Sequence, residues 1–254
     1  METAAGIFWV LLLGLCTGSL AAAAVVRVPA GLSMFSPPSH CLACGARLGL
    51  LDLLPVVSWL ASGGRCRHCG DKVSAQYSFI EVLVGAGFVV AWLVTGGALS
   101  GPPAAVLHAA LLAILFTCLV VGALIDLRHW YVPRGLILVI GLAGVANAYL
   151  DRHPLLETVQ HGLVAMIGPV VLMALYRLLR HRKGIGWDDV LLFLAGGFWL
   201  SGREIVLWWT VGPLCSVIGA VLGGVRRART RVPMSPGLSV GLVAVLLFRL
   251  MVLA

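Results

Sequence analysis

The sequence predicts an all-α polytopic membrane protein, a bundle of about eight transmembrane helices with a small cytoplasmic loop domain of the zinc-binding type. The first observation is composition: 60% of the 254 residues are hydrophobic and 11% are charged, whereas a soluble domain has about 25% charged residues. The second is that apolar stretches of about 20 residues, each long enough to cross a hydrocarbon core of about 30 Å, recur along the whole chain. The third is a cysteine-rich segment that interrupts this pattern.

Eight stretches have the length and composition of membrane spans. They lie at 5–26, 77–99, 103–125, 133–150, 160–179, 184–201, 204–224 and 235–254. The weakest boundary is at 201–204, where only Ser-Gly-Arg-Glu interrupts an apolar run. A break there, with the N-terminus outside, places every lysine and arginine on the cytoplasmic side except Arg152, Arg203 and Arg249. Because cytoplasmic loops carry an excess of Lys and Arg, this arrangement favours eight spans.

The net charge of +8 follows from this orientation. Basic residues cluster at 177–183 and 226–231, at predicted cytoplasmic ends of spans, where they would contact anionic membrane lipid. Nucleic-acid binding would need a basic face with stacking aromatic residues on a soluble module, and the sequence predicts no such module. We therefore expect membrane lipid, and no nucleic acid, as a partner.

The predicted cytoplasmic loop contains two C-x-x-C pairs, CLAC and CRHC, separated by 21 residues. This spacing is typical of a zinc site with four thiolate ligands, and the glycine after each pair suits a tight turn. Two disulfides are an alternative that a reducing cytosol disfavours, and a redox pair would not explain two matched motifs. We predict a structural Zn²⁺ site formed by Cys41, Cys44, Cys66 and Cys69.

Acidic side chains within or at the ends of spans are candidates for function, because burying a charge in hydrocarbon is costly. Glu81 lies near the start of the second span, Asp126 ends the third, and Asp188 and Asp189 open the sixth. The third span runs toward the cytoplasm and the sixth leaves it. Asp126 and Asp189 are therefore predicted to lie at the same membrane depth.

Two neighbouring carboxyl groups can share a proton, so that one acts as a base and the other as an acid. Such a pair can activate water for attack on a peptide carbonyl without a metal ion. The residues alone leave two alternatives open: solvated carboxylates at helix ends, and a proton or ion relay in a carrier or channel. A relay would place acids at several depths, whereas these acids cluster at one end, which favours a peptidase.

Two segments, ALIDLRHWYVP (123–133) and GIGWDDVLLFLAGGFWL (184–200), resemble the signature segments of the bacterial type IV prepilin peptidases, which are GxGD-type intramembrane aspartyl proteases. The resemblance extends to GSLAAAAVVRVP (18–29) and to the tetracysteine segment at 41–81. It implies an enzyme of the bacterial inner membrane that cleaves the basic leader of type IV prepilins or type II secretion pseudopilins at the cytoplasmic face. It also implies N-methylation of the new N-terminus with S-adenosylmethionine.

The family pattern Gly-x-Gly-(aromatic)-Gly-Asp aligns with the start of the sixth span. The matched positions are Gly184, Gly186, Trp187, Asp188 and Asp189. Asp188 thus replaces the third glycine, and Arg134 replaces an acid often found after the proline of the first segment. The resemblance implies that Asp126 and Asp189 are catalytic. Glycines at 184 and 186, having no Cβ atoms, would let an extended substrate approach the loop closely.

Glu81 follows the cysteine-rich loop directly and is far in sequence from both aspartates. A carboxylate there could orient the new amine or hydrogen-bond the methyl donor, and pairing with a cytoplasmic arginine is the alternative. The sequence thus predicts three parts. They are a first span at 1–26, a tetracysteine loop at 27–76 associated with methyl transfer, and an aspartyl peptidase bundle at 77–254.

Overall fold

The computed structural model describes residues 2–34, 36–96, 102–180, 186–222 and 233–253. The helices are α1 (Glu2–Arg27), α2 (Val57–Ala61), α3 (Gln76–Val94), α4 (Pro103–His129), α5 (Arg134–Leu150), α6 (Leu155–Arg180), α7 (Trp187–Gly197), α8 (Gly202–Leu222) and α9 (Ser235–Leu253). A 3-10 turn at Leu50–Leu53 precedes α2. Within the described ranges, β-structure is limited to two isolated bridges. The predicted all-α class is confirmed.

Every predicted span overlaps one of these helices, and the short α2 lies between the first two spans. By length and composition, α1, α3, α4, α6 and α8 each contain a segment able to cross a membrane. Only 22% to 33% of the most apolar window of each segment is buried. Many large apolar side chains on these helices are exposed, so their outward faces are suited to lipid. The chain is a multi-pass membrane protein.

The sixth predicted span, 184–201, is the one whose helix falls well short of its predicted length. Helix α7 has 11 residues, which at 1.5 Å per residue is about 16 Å and about half of a hydrocarbon core. It ends at a Gly-Gly pair, after which the N–H groups of Trp199 and Leu200 donate to the carbonyls of Gly196 and Gly197. Apolar composition indicated burial correctly, but it does not determine how many of the buried residues are helical.

The chain forms two compact units, Met1–Ala113 and Ile114–Ala254. In the first, α1 packs directly against α3. A Cβ atom added at Gly18 would lie 2.6 Å from the Cα of Glu81, and one at Gly14 would lie 2.9 Å from the Cα of Gly85. Such close approach of two backbones is how small residues stabilise helix pairs in membranes. The predicted three-part division of the chain at 26 and 76 remains a prediction.

In the second unit, tryptophans link neighbouring helices through their indole N–H groups. Trp199 donates to the carbonyl of Ile140 on α5, Trp208 to that of Leu238 on α9, and Trp209 to that of Ala165 on α6, at 2.9–3.0 Å. Trp208 is fully buried. These side chains fill space between helices and satisfy backbone carbonyl groups.

Arg249 and Glu204 mark the end of this unit where α8 begins and α9 approaches its last turn. The guanidinium of Arg249 donates to the carbonyl of Trp199 at 3.1 Å and lies 3.7 Å from the carboxylate of Glu204. Glu204 also accepts the backbone N–H of Ser201. Charged groups therefore meet at the turn between α7 and α8, which supports the predicted break at 201–204.

Candidate active site and metal centre

Asp126 lies in the last turn of α4, and its side chain is buried. Its Oδ2 accepts the backbone N–H of Ser235 at 3.0 Å. Ser235 is the first residue of α9, so this N–H is one of those that a helix leaves without an internal acceptor. The carboxylate of Asp126 is thus held at the N-terminus of α9 by one of these unpaired N–H groups.

Asp189 is the third residue of α7, and its Oδ2 accepts the backbone N–H of Gly186 at 3.3 Å. Gly186 precedes the first helical residue, so the carboxylate caps the helix to which it belongs. The second aspartate is therefore also held at a helix N-terminus. Gly184, the other predicted loop glycine, lies outside the described residues.

Helix packing in the second unit brings the two predicted catalytic residues together. The carboxylates of Asp126 and Asp189 lie close enough to repel each other electrostatically, although they are separated by 63 positions in sequence. Asp188 adds a third negative charge that acts on both. It has a counter-ion, because Arg134 at the start of α5 places its Nε 3.8 Å from Asp188 Oδ1.

Sequence reasoning missed Ser235 as a functional residue. Its backbone N–H holds Asp126, and its hydroxyl is 3.5 Å from the carbonyl of Gly122 on the same helix as Asp126. A signal was present: Ser-Pro at 235–236 opens the last span, and serine and proline are both favoured at the first positions of a helix. That signal predicts the start of α9, but it does not identify Asp126 as the residue that accepts the N–H group there.

The four predicted zinc ligands form a cluster in the first unit. Their sulfur atoms all lie within 4.8 Å of one another, and Cys41 Sγ is 3.9 Å from Cys69 Sγ. Tetrahedral zinc with Zn–S bonds of about 2.3 Å needs sulfur atoms about 3.8 Å apart. All four are free thiols, so the disulfide alternative does not describe this structure.

The two C-x-x-C pairs have the same backbone geometry. In the first, Cys41 N–H donates to the carbonyl of Ala46, and Gly45 N–H donates back to that of Cys41, both at 2.9 Å. In the second, Cys66 and Gly70 make the equivalent bonds, with Asp71 in the place of Ala46. Gly45 and Gly70 have φ of +72° and +74°, which glycine adopts without strain.

This geometry also prepares the sulfur atoms for a cation. Backbone N–H groups of Cys44 and Ala43 lower the pKa of the Cys41 thiol to about 7, and those of Cys69 and His68 lower the pKa of Cys66. The N–H of Asp71 lowers the pKa of Cys69, but burial and the other three sulfur atoms outweigh it and raise that pKa. Thiolates are thus favoured at two positions while a third resists ionisation, as expected when several anions share one site. A divalent cation would remove that conflict.

An open cavity of about 430 Å³ lies beside the cysteine cluster, within the first unit. Its walls include Cys41, Cys66, Trp59, Ser78 and Glu81. The Oγ of Ser78 is buried and has no hydrogen-bond partner among the described residues. Glu81 is 7% exposed, and its Oε2 accepts the backbone N–H of Val56 at 2.7 Å. The observed partner of Oε2 is thus a backbone group rather than the arginine considered from the sequence.

Two family models match the chain. Residues 12–95 match the bacterial peptidase A24 N-terminal domain, and residues 113–226 match the type IV leader peptidase family. Among curated relatives, the "type 4 prepilin-like proteins leader peptide-processing enzyme" of Escherichia coli is 30% identical, covering 85% of this chain and 78% of that protein. Proteins named "prepilin leader peptidase/N-methyltransferase" from Burkholderia pseudomallei (32% identical, 87% of this chain and 70% of theirs) and Bacillus subtilis (27%, 92% and 91%) are also similar. No solved structure matches.

Proposed function

Because the chain belongs to the type IV leader peptidase family, we propose that it is an aspartyl endopeptidase that removes the leader peptide of type IV prepilins or type II secretion pseudopilins. It then N-methylates the new N-terminus, as the names of two similar proteins describe for those proteins. The enzyme resides in the bacterial inner membrane, with its active site at the cytoplasmic face. Membership of this family disfavours the carrier alternative.

The observation that carries the peptidase proposal is the Asp126–Asp189 pair, two mutually repelling carboxylates at two helix N-termini. Repulsion favours a state in which one carboxyl is ionised and the other holds a proton. The ionised group takes a proton from water as the water oxygen attacks the carbonyl carbon of the scissile bond. The protonated group then donates to the leaving nitrogen.

The surrounding backbone keeps these groups in place while protons move. The N–H groups of Ser235 and Gly186 fix one oxygen of each carboxylate, and we propose that the other oxygen of each contacts water or substrate. We propose that Gly184 and Gly186 leave room for the extended substrate backbone. A Cβ at position 186 would already lie 3.4 Å from Asp189 Oδ2.

Co-expression with a prepilin tests the dyad. Asp126→Asn and Asp189→Asn keep side-chain size but remove the ability to exchange a proton, so each abolishes leader removal. Asp151→Asn is the matched control, since Asp151 follows the far end of α5, where it accepts a hydrogen bond from Asn147. Processing by either dyad variant at the wild-type rate would overturn the mechanism.

Structural zinc is the proposed occupant of the tetracysteine cluster. The sulfur separations, the paired turns and the lowered pKa of two thiols all suit a tetrahedral thiolate site. A loop of this size buries too little apolar surface to fold alone, and metal binding would supply the missing free energy.

The neighbouring cavity is the proposed site of S-adenosylmethionine, which supplies an electrophilic methyl group on a sulfonium cation. Its volume falls within the range of about 300–1,000 Å³ that small-molecule sites occupy. The Ser78 hydroxyl offers an unsatisfied polar group, and the rings of Trp59 and Tyr77 are groups that favour a cation. Glu81 lies in the same wall, with its Oε2 bonded to the backbone of Val56. We assign Glu81 to methylation and not to cleavage.

Mass spectrometry of the mature pilin separates the two activities, because a missing methyl group and a missing cut change the mass differently. Glu81→Ala is expected to give cleaved, unmethylated pilin, whereas Asp189→Asn gives uncleaved prepilin. Loss of both reactions in Glu81→Ala would contradict the assignment. A wild-type product without a methyl group would show that this chain lacks the second activity.

A further inference from the structure

We infer that Glu81 is a positioning residue, whose buried carboxylate holds Val56 in a strained turn and so fixes the α2 wall of the adjoining cavity. This inference rests on the proposed N-methylation and states how Glu81 serves it. The carboxylate acts through the backbone of Val56 instead of touching the reacting methyl group. Three features of the first unit support it.

The first feature is the conformation of Val56. Its φ is +62° and its ψ is −50°, and a positive φ in a β-branched residue is a genuine outlier. The turn is closed by Val57 N–H donating to the carbonyl of Pro55 at 2.5 Å. Three-residue turns with a positive central φ are rare and strained. Such strain persists only when the surrounding structure holds it.

The second feature is the group that holds it. Val56 N–H points at Glu81 Oε2 over 2.7 Å, and Glu81 is almost fully buried. A short hydrogen bond to a carboxylate away from water is among the strong ones. The backbone that carries this carboxylate is itself fixed, since Gly18 of α1 packs against the Cα of Glu81. A rigid helix pair thus anchors a turn of the loop.

The third feature is what the turn positions. Val56 immediately precedes α2, a helix of five residues, so its conformation sets the direction of that helix. Ser58 and Trp59 of α2 line the cavity. The indole N–H of Trp59 donates to the carbonyl of Val73 at 3.0 Å, and the ring lies over Gly64. If the turn relaxed, α2 and its tryptophan would leave the cavity wall.

Two substitutions separate this role from direct contact with the cofactor. Glu81→Gln removes the charge but keeps an oxygen that can accept the Val56 N–H, whereas Glu81→Ala removes the acceptor. Val56→Gly removes the strain, because glycine adopts positive φ at no steric cost. Positioning through Val56 therefore predicts that Val56→Gly rescues Glu81→Ala. A carboxylate that binds the cofactor predicts no rescue.

The experiment is hydrogen exchange of the full-length protein in detergent, followed at the α2 amides of Ser58 and Leu60, with calorimetric titration of S-adenosylmethionine alongside. In Glu81→Ala, we expect exchange to accelerate roughly ten- to hundredfold, as for loss of a buried hydrogen bond to a charged group, and cofactor binding to weaken in parallel. Glu81→Gln stays within about tenfold of wild type. The double variant Glu81→Ala with Val56→Gly recovers most of the protection and binding, and Val56→Gly alone is the matched control.

Unchanged exchange at α2 in Glu81→Ala would overturn the inference. It would also be overturned if Glu81→Gln lost cofactor binding as completely as Glu81→Ala while α2 stayed protected, since that result assigns the charge to the cofactor. Failure of the proposed methylation is seen separately, as a wild-type pilin without a methyl group. The exchange measurement still decides the positioning role in that case.

Discussion

The tetracysteine loop and the aspartate pair are both organised by backbone N–H groups. They differ in how far apart in sequence the hydrogen-bonded residues are. In the loop, Cys41 and Cys66 are each shaped by hydrogen bonds to residues no more than five positions away. In the aspartate pair, Asp189 accepts an N–H from Gly186, three positions earlier, but Asp126 accepts one from Ser235, 109 positions later. The loop is therefore built from local turns around the proposed metal site, whereas the pairing of the two aspartates depends on helix packing.

The largest effect is expected from a substitution that unfolds the tetracysteine loop and leaves the aspartate pair intact. Structural zinc in small domains contributes roughly 10–16 kcal/mol at neutral pH. Cys66→Ser is therefore expected to release the metal and unfold the loop, while leader cleavage continues. Elemental analysis of wild type should give about one zinc per chain. Cys16→Ser, which changes a cysteine of α1 outside the cluster, is the control and keeps its zinc. Absence of metal from wild type purified under reducing conditions would rule out the site.

The second effect concerns which aspartate performs chemistry. General acid–base catalysis contributes roughly a hundred- to ten-thousandfold, so Asp189→Asn should lose at least that much cleavage. Asp188→Asn and Asp188→Gly keep both dyad carboxylates and should stay active. Initial rates of prepilin processing by purified variants compare the two positions. An inactive Asp188→Asn beside an active Asp189→Asn would mean that the assignment is one residue out.

The third effect tests helix packing at the end of the second unit where Arg249 meets Glu204. Arg249→Ala leaves the carbonyl of Trp199 and the carboxylate of Glu204 without this donor, at a cost of about 1–3 kcal/mol. We expect a lower thermal unfolding temperature in detergent, with cleavage per folded molecule little changed. Arg203→Ala, at an exposed neighbouring arginine, serves as the control. Equal destabilisation by both variants would show that the Arg249 contacts contribute nothing specific.

The smallest effect concerns the charge pair beside the dyad. Arg134 and Asp188 have side chains that are 82% and 31% exposed, and exposed ion pairs contribute about 0–1 kcal/mol. Arg134→Gln should lower cleavage only a few-fold, by leaving the third acid without its counter-ion. Adding Asp188→Gly should restore the rate, and raising the salt concentration should reduce the difference. If the defect of Arg134→Gln persisted in the double variant, this charge-based explanation would be contradicted.

Sequence patterns located both regions, for different physical reasons. The cysteine motifs carry their own geometry, because a C-x-x-C turn followed by glycine is a local structure, and so all four clustered residues were predicted by number. The aspartates were paired only through topology: the direction of each span, set by the distribution of lysine and arginine, predicted that Asp126 and Asp189 meet. The structure brings them together as predicted, and their catalytic role remains a prediction.

Other features could not be deduced from the amino-acid sequence. Both Arg134 and Asp188 depart from the family pattern, but the sequence near either residue does not indicate that they form an ion pair. A sequence pattern specifies which residues occur at which positions, and it does not specify which side chains are in contact. The length of α7 was also missed, since buried apolar residues give the same composition in a helix and in the turn that follows it. The partner of Glu81 Oε2 was unforeseen for a similar reason, because Val56 has no side-chain hydrogen-bonding group to attract attention.

By itself the sequence determined the helical membrane class, the approximate positions of the spans and the identity of the cysteine cluster, because hydropathy and short-range spacing act locally. Only the tertiary structure decided which groups donate hydrogen bonds to the carboxylates. Backbone N–H groups of Ser235, Gly186 and Val56 hold Asp126, Asp189 and Glu81, and every non-proline residue carries such a group. Which of them lacks a partner and faces an acid depends on where helices begin, where turns are strained and how the helices pack.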